Sequence, residues 1–117
     1  MKLVNSICLI ILIIIGCVHI VFSISIFDTL SQDSMWFVGS GLAIIYLALL
    51  NFLLRGFQNQ KSAYWIIQVS NLMFLTFFIM ISIASQEIPG FVGLFAVLIL
   101  IGTNWKLYDF ENHKGPV

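Results

Sequence analysis

Four long runs of apolar residues, Leu3–Ser23, Met35–Leu54, Ala63–Ser85 and Ile88–Trp105, contain no Asp, Glu, Lys or Arg. A helix rises about 1.5 Å per residue, so each run approaches the roughly 20 residues that carry a helix across a hydrocarbon core of about 30 Å. Lipid offers no partner to backbone N–H and C=O groups, and a helix satisfies them within its own segment. Composition excludes a water-soluble domain. The chain is 61% hydrophobic and 9% charged, against about 25% charged in ordinary soluble domains. At 117 residues it has too little interior to hide that much apolar surface from water. The reading is an all-α, polytopic membrane protein, a single transmembrane domain over residues 1–117 built as an antiparallel four-helix bundle. Connections of roughly twelve, eight and two residues favour sequential helices packing up-down-up-down.

The connections carry the punctuation. Asp28, Ser31, Asp33 and Ser34 precede the second run and supply N-cap candidates. Arg55, Gly56, Gln58, Asn59, Gln60 and Lys61 separate the second run from the third. Gln86, Glu87 and Pro89 make a tight third turn, with Pro accepted in the first turn of the fourth helix. The residues from Lys106 to Val117 read as a short polar tail.

Basic residues collect in cytoplasmic loops. Lys2 precedes the first run, Arg55 and Lys61 lie between the second and third, and Lys106 and Lys114 follow the fourth. All five therefore fall on one side, while the other side holds only Asp28, Asp33 and Glu87. This predicts both termini in the cytoplasm, in an inner (plasma) membrane. Tyr64, Trp65, Trp105 and Tyr108 are expected as anchors at the inner boundary and Trp36 at the outer one. The strong bias, and the lack of a carboxylate in the first run, set the chain apart from small four-helix multidrug exporters that insert in both orientations. The Met-Lys start and the apolar run after it read as a retained signal-anchor helix, although Ile14-Ile15-Gly16-Cys17 faintly resembles a lipoprotein cleavage box. The formal net charge is zero, which leaves no basic face for nucleic acid.

Polar side chains inside a span are costly and turn toward the bundle interior. Eleven residues make almost three helical turns, so residues eleven apart share a face. Each run has such a pair: Cys8 and His19, Ser40 and Asn51, Asn71 and Ser82, Gly93 and Asn104. With alternating helix directions, Asn51, Asn71 and Asn104 form an inner amide layer, joined by Gln68 one turn from Asn71 and with Asn5 near the same boundary. His19, Ser40, Ser82 and Gly93 form an outer layer. Two meanings stay open: hydrogen-bonding glue between helices, worth about 0.6–2 kcal/mol each, or an interior that meets a ligand. Ser70 and Thr76 fit neither layer. Gly39, Gly41, Ala43 and Gly93 are read as close-packing positions. Cys8 and Cys17 lie about 13 Å apart on one helix, too far for a disulfide, and read as small buried hydrophobes.

His19 is the one imidazole within a run, about a turn from its outer boundary. It is a candidate proton carrier, pH sensor or metal ligand, but it lacks companion ligands at metal spacing, and no metal or cofactor is expected. No catalytic motif is present: no phosphate loop, no paired carboxylates within the spans, and in Gly39-Ser40-Gly41 no strand-to-helix elbow. A gathering of Asp28, Asp33 and Glu87 around His19 is a further possibility at the outer surface.

The stretch formed by His19, Met35-Trp36-Phe37, Gly39, Gly41-Leu42 and Leu49-Leu50-Asn51 resembles a pattern in small uncharacterised bacterial four-helix integral membrane proteins. It covers the first hairpin, about a third of the chain, and implies a bacterial inner-membrane setting without implying an activity. Three functions compete. The first is a binding or accessory subunit, docking to a larger membrane complex or to itself as a homo-oligomer, with membrane lipid around it. The second is a transporter or pocket for a neutral or amphipathic ligand, lined by Asn51, Gln68, Asn71 and Asn104 on the inner side and by His19, Ser40 and Ser82 on the outer. The third is a lipid-modifying enzyme with His19 as general base.

Overall fold

The computed structural model describes residues 1–56 and 60–108. Gln58 and Asn59 of the second connection, and the tail from residue 109 onward with Lys114, lie outside the described residues. The chain forms four α-helices: α1 (Lys2–Ile26), α2 (Gln32–Leu54), α3 (Lys61–Ser85) and α4 (Ile88–Leu107). Each is long and apolar enough to cross a membrane, and together they make a helical bundle of a multi-pass membrane protein. Large side chains such as Leu3, Ile24, Met73, Ile83 and Ile88 stand exposed along the helices. In water such a surface would drive aggregation; in lipid it needs no cover.

The helices run up to three residues past the apolar runs, and one start is capped by side chains. Ser31 caps α2: its hydroxyl accepts from the Ser34 N–H at 3.2 Å and the Ser34 hydroxyl accepts from the Ser31 N–H at 2.9 Å. This reciprocal capping box satisfies two of the donors a helix start leaves unpaired. The Ser34 carbonyl also accepts from the Ser23 hydroxyl of α1 at 2.9 Å, tying the first connection together. α3 stops at Gln86, which takes a left-handed conformation with φ of 53°. Pro89 then stands in the first turn of α4, where its missing N–H breaks no bond.

All four helices contribute to one core. Cys8, Leu9 and Leu12 meet Ile44, Leu47 and Ala48, with Phe78 from α3 and Ala96, Val97 and Leu100 from α4. α1 and α2 cross where Gly16 faces Gly41. A Cβ on either glycine would lie 2.7 Å from the other's carbonyl oxygen, so only glycine lets the two backbones come this near. Gly93 serves differently: the Phe78 ring occupies the space a side chain there would take. Gly39, expected at a packed contact, has nothing within 4 Å of its Cβ position. Of the helices that follow one another in the chain, α2 and α3 touch least, and Gly39 lines the cleft between them.

Two other expectations are corrected, for the tyrosine anchors and for Cys17. Tyr64 and Tyr108 do not anchor at a lipid boundary; both are buried, stacked at 4.2 Å in a small cluster with Leu54 and Ile67. Trp36, Trp65 and Trp105 are exposed. Cys8 is buried but Cys17 points outward. Ser70 and Thr76 face outward as well, where each hydroxyl donates to the carbonyl four residues earlier, at 2.9 and 3.1 Å. That bond allows a hydroxyl to sit on a lipid-facing surface without an interhelical partner.

Candidate functional site

Polar chemistry divides between two ends of the bundle. One end holds Asn5 of α1, Asn51 and Arg55 of α2, Gln68 and Asn71 of α3, and Thr103 and Asn104 of α4. Asn51 and Asn71 form a reciprocal amide pair, each donating to the other's Oδ1, at 2.7 and 2.9 Å. Asn51 Oδ1 accepts a second bond from Asn104 at 2.7 Å. Asn104 Oδ1 accepts from Asn5 at 3.0 Å, and the other Asn5 N–H goes to Thr103 Oγ1 at 3.0 Å. Asn71 also donates to Gln68 Oε1 at 3.1 Å, and Gln68 donates to the Tyr64 hydroxyl and the Ile101 carbonyl at 3.1 and 3.2 Å. The second Asn51 N–H goes to the Leu47 carbonyl at 2.9 Å.

Asn5, Asn51, Asn71 and Asn104 are each at most 2% exposed. Asn5, Asn51, Gln68 and Asn71 have committed both amide N–H groups. Beside them lies a cavity of about 10 Å³ between Arg55, Asn5, Asn51, Asn104 and Tyr108, the room of a single water molecule. Arg55 closes this end, donating to Asn5 Oδ1 at 3.0 Å and Ser6 Oγ at 2.8 Å, while its buried Nε has no partner among the described residues. Chemically, the cluster joins four helices; most of its groups are spent on one another.

The predicted inner layer of Asn51, Gln68, Asn71 and Asn104 is thus assembled in one network. Asn5, expected near its boundary, joins it, and Arg55 and Thr103 enter it beyond what the eleven-residue spacing predicts. The sequence held the signals. Arg55 follows Asn51 by four residues, on the same helix face, and Thr103 adjoins Asn104.

The predicted outer layer does not come together. Ser40 donates to its own helix, to the Phe37 carbonyl at 2.8 Å. It lines a cleft of about 470 Å³ between α2 and α3, with Trp36, Gly39, Ala43, Met73 and Phe77. Ser82 is buried on the other side of α3, its hydroxyl without a partner among the described residues and close to Gly90. His19 lies in neither place. Its ring stacks on Phe37 at 4.5 Å and 8°, and Phe27 meets Phe37 edge-on at 5.9 Å.

His19 lines a second cleft, of about 420 Å³, between α1 and α4. The walls are Ile14, Val18, Phe22, Phe37 and Val92, and Glu87 stands with His19 among the lining residues. Both also border a smaller cavity of about 40 Å³ that reaches Ile44, Phe78 and Gly90. Of Asp28, Asp33 and Glu87, it is Glu87 that lines these two cavities with His19. Among the described residues no three of His, Cys, Asp and Glu gather as a metal site would need. The chain matches no protein-family model, no curated protein and no solved structure.

Proposed function

We propose that this is a non-catalytic binding protein of the bacterial inner membrane, an antiparallel four-helix bundle with both termini cytoplasmic, which takes the apolar chain of an amphipathic molecule into the cleft between α1 and α4. The observation that carries the reading is the make-up of that cleft: apolar walls from Ile14, Val18, Phe22 and Val92, with His19 and Glu87 as its two ionisable groups. Small-molecule sites are built this way, mostly apolar with a few polar groups that fix orientation, in volumes of about 300–1,000 Å³. The amide end supports the same reading by elimination, since most of its amide donors are committed and its cavity fits one water. The orientation rests on Lys2, Arg55, Lys61 and Lys106, which flank the amide-bearing ends of the helices and so mark the cytoplasmic side.

Native mass spectrometry of protein gently extracted with its lipids tests the binding. A defined amphiphile adduct is expected, and Val18→Trp, which fills the cleft, is expected to remove it. Protein without adducts, or adducts indifferent to Val18→Trp, contradicts the proposal. Orientation is checked in a cysteine-free background: Leu30→Cys should react with an impermeant maleimide from the periplasm, and Lys61→Cys only after the membrane is opened.

A second reading, docking of a partner helix, draws on the α2–α3 cleft. Gly39 and Ala43 are small residues one turn apart beside open space, the arrangement that lets helices approach closely in lipid. It predicts that Gly39→Leu changes the oligomeric or co-purified state while leaving the adduct in the α1–α4 cleft untouched.

A further inference from the structure

We infer that the α1–α4 cleft selects a single-chain amphiphile with a cationic amine head, held between the Glu87 carboxylate and the rings of His19 and Phe37. The inference rests on the amphiphile-binding reading and adds the chemistry of the head group. Glu87 stands at the N-cap of α4, yet its side chain makes no capping bond, and it is exposed. Its carboxylate is therefore available at the cleft. No Lys or Arg lines the cleft; the described basic residues Lys2, Arg55, Lys61 and Lys106 all belong to the other end of the bundle. An anionic head would face Glu87 with no cation to offset the repulsion, which disfavours the phosphate of a bilayer lipid. An ammonium group meets the carboxylate and, beside it, the faces of aromatic rings that attract cations.

The depth of the cleft orders head and tail. Glu87 directly precedes α4, and Ile26 ends α1, so both mark the surface end. Ile14 lies twelve residues before Ile26, about 18 Å along the helix. The head sits beside Glu87 and His19, and the chain runs inward along Val18 toward Ile14. A volume of about 420 Å³ lies near the lower bound of small-molecule sites, suited to one chain rather than the two of a bilayer phospholipid.

The test is calorimetric titration of the full chain in neutral maltoside micelles with dodecylamine, dodecanol and dodecanoate. Dodecylamine is expected to bind about tenfold tighter than dodecanol, the factor one charge-assisted hydrogen bond supplies, with dodecanoate weakest. Glu87→Gln should bring the amine-to-alcohol ratio close to one, and Val18→Trp should weaken all three ligands. Melting curves confirm that both variants stay folded. Equal affinity for amine and alcohol, or a preference that survives Glu87→Gln while Val18→Trp weakens every ligand, overturns the amine assignment and leaves the amphiphile reading standing. No binding of any probe, or binding indifferent to Val18→Trp, overturns both.

Discussion

The Asn51–Asn71 pair offers the sharpest test of what holds the bundle. Asn51→Leu removes two reciprocal bonds to Asn71 and the one accepted from Asn104. Interhelical hydrogen bonds in membranes average about 0.6 kcal/mol and reach about 1.7. Three of them give about 2–5 kcal/mol. The upper part of that range is expected because Asn71 Oδ1, an Asn71 N–H and an Asn104 N–H lose their partner at a buried site. Asn71→Leu strands Asn51 in the same way and also frees Gln68 Oε1. In the double variant the reciprocal pair is gone from both sides, and nothing of it is left unpaired. The loss should then fall short of the sum by about 1–3 kcal/mol, which a double-mutant cycle reads directly. Reversible unfolding in mixed micelles, followed by the fluorescence of Trp65 and Trp105, supplies the four free energies. Additive losses, or single variants within about 0.5 kcal/mol of wild type, would refute the view that this pair is a structural joint.

Two further outcomes follow from local geometry. Gly41→Ala should destabilise the bundle by about 1–3 kcal/mol, because the new methyl meets the Gly16 carbonyl at 2.7 Å. Gly39→Ala, two residues away and facing open space, should be neutral or stabilising by up to about 1 kcal/mol; the same sign for both in a melting assay contradicts the assigned crossing. Ser31→Ala removes the α2 cap and should cost about 1 kcal/mol, with amide exchange rising in the first turn of α2 ahead of the rest of the helix.

Apolar run length made the helices legible, because lipid leaves the backbone no alternative to internal hydrogen bonds. The amide layer was legible for a related reason: a primary amide in hydrocarbon must find a partner, and only the interior offers several. The same logic failed for Ser40, Ser70 and Thr76. A hydroxyl satisfies itself on its own helix, so its presence in a span says nothing about which way it faces. Spacing along one helix also could not show that Phe37 would cover His19, or that α2 and α3 would part where Gly39 and Ser40 lie. Those depend on the angle at which helices cross, which here follows from Gly16 meeting Gly41. Gly16 enters the sequence reading only through a faint cleavage-box resemblance, since a single glycine does not reveal a helix crossing until its partner on another helix is known.

Leu and Ile pack against a neighbouring helix or a lipid tail almost equally well, so apolar contacts alone specify helix rotation poorly. The amides do specify it, because a helix turned by one residue, about 100°, carries its amide out of the network. This bears on the distant cleft. His19 follows Asn5 by fourteen residues, nearly four turns, which leaves the two about 40° apart around α1. Fixing Asn5 against Thr103 and Asn104 therefore fixes the direction of His19, as Asn104 does for the start of α4 that follows Glu87. The network at one end thus sets the pairing of imidazole and carboxylate at the other, although no hydrogen bond connects them. Asn5→Leu should then weaken dodecylamine binding in the cleft without altering any residue that lines it, while Val4→Ala, exposed beside it, should leave binding unchanged. Equal binding by the Asn5 variant would mean that the glycine crossing of α1 and α2 is sufficient to orient the site.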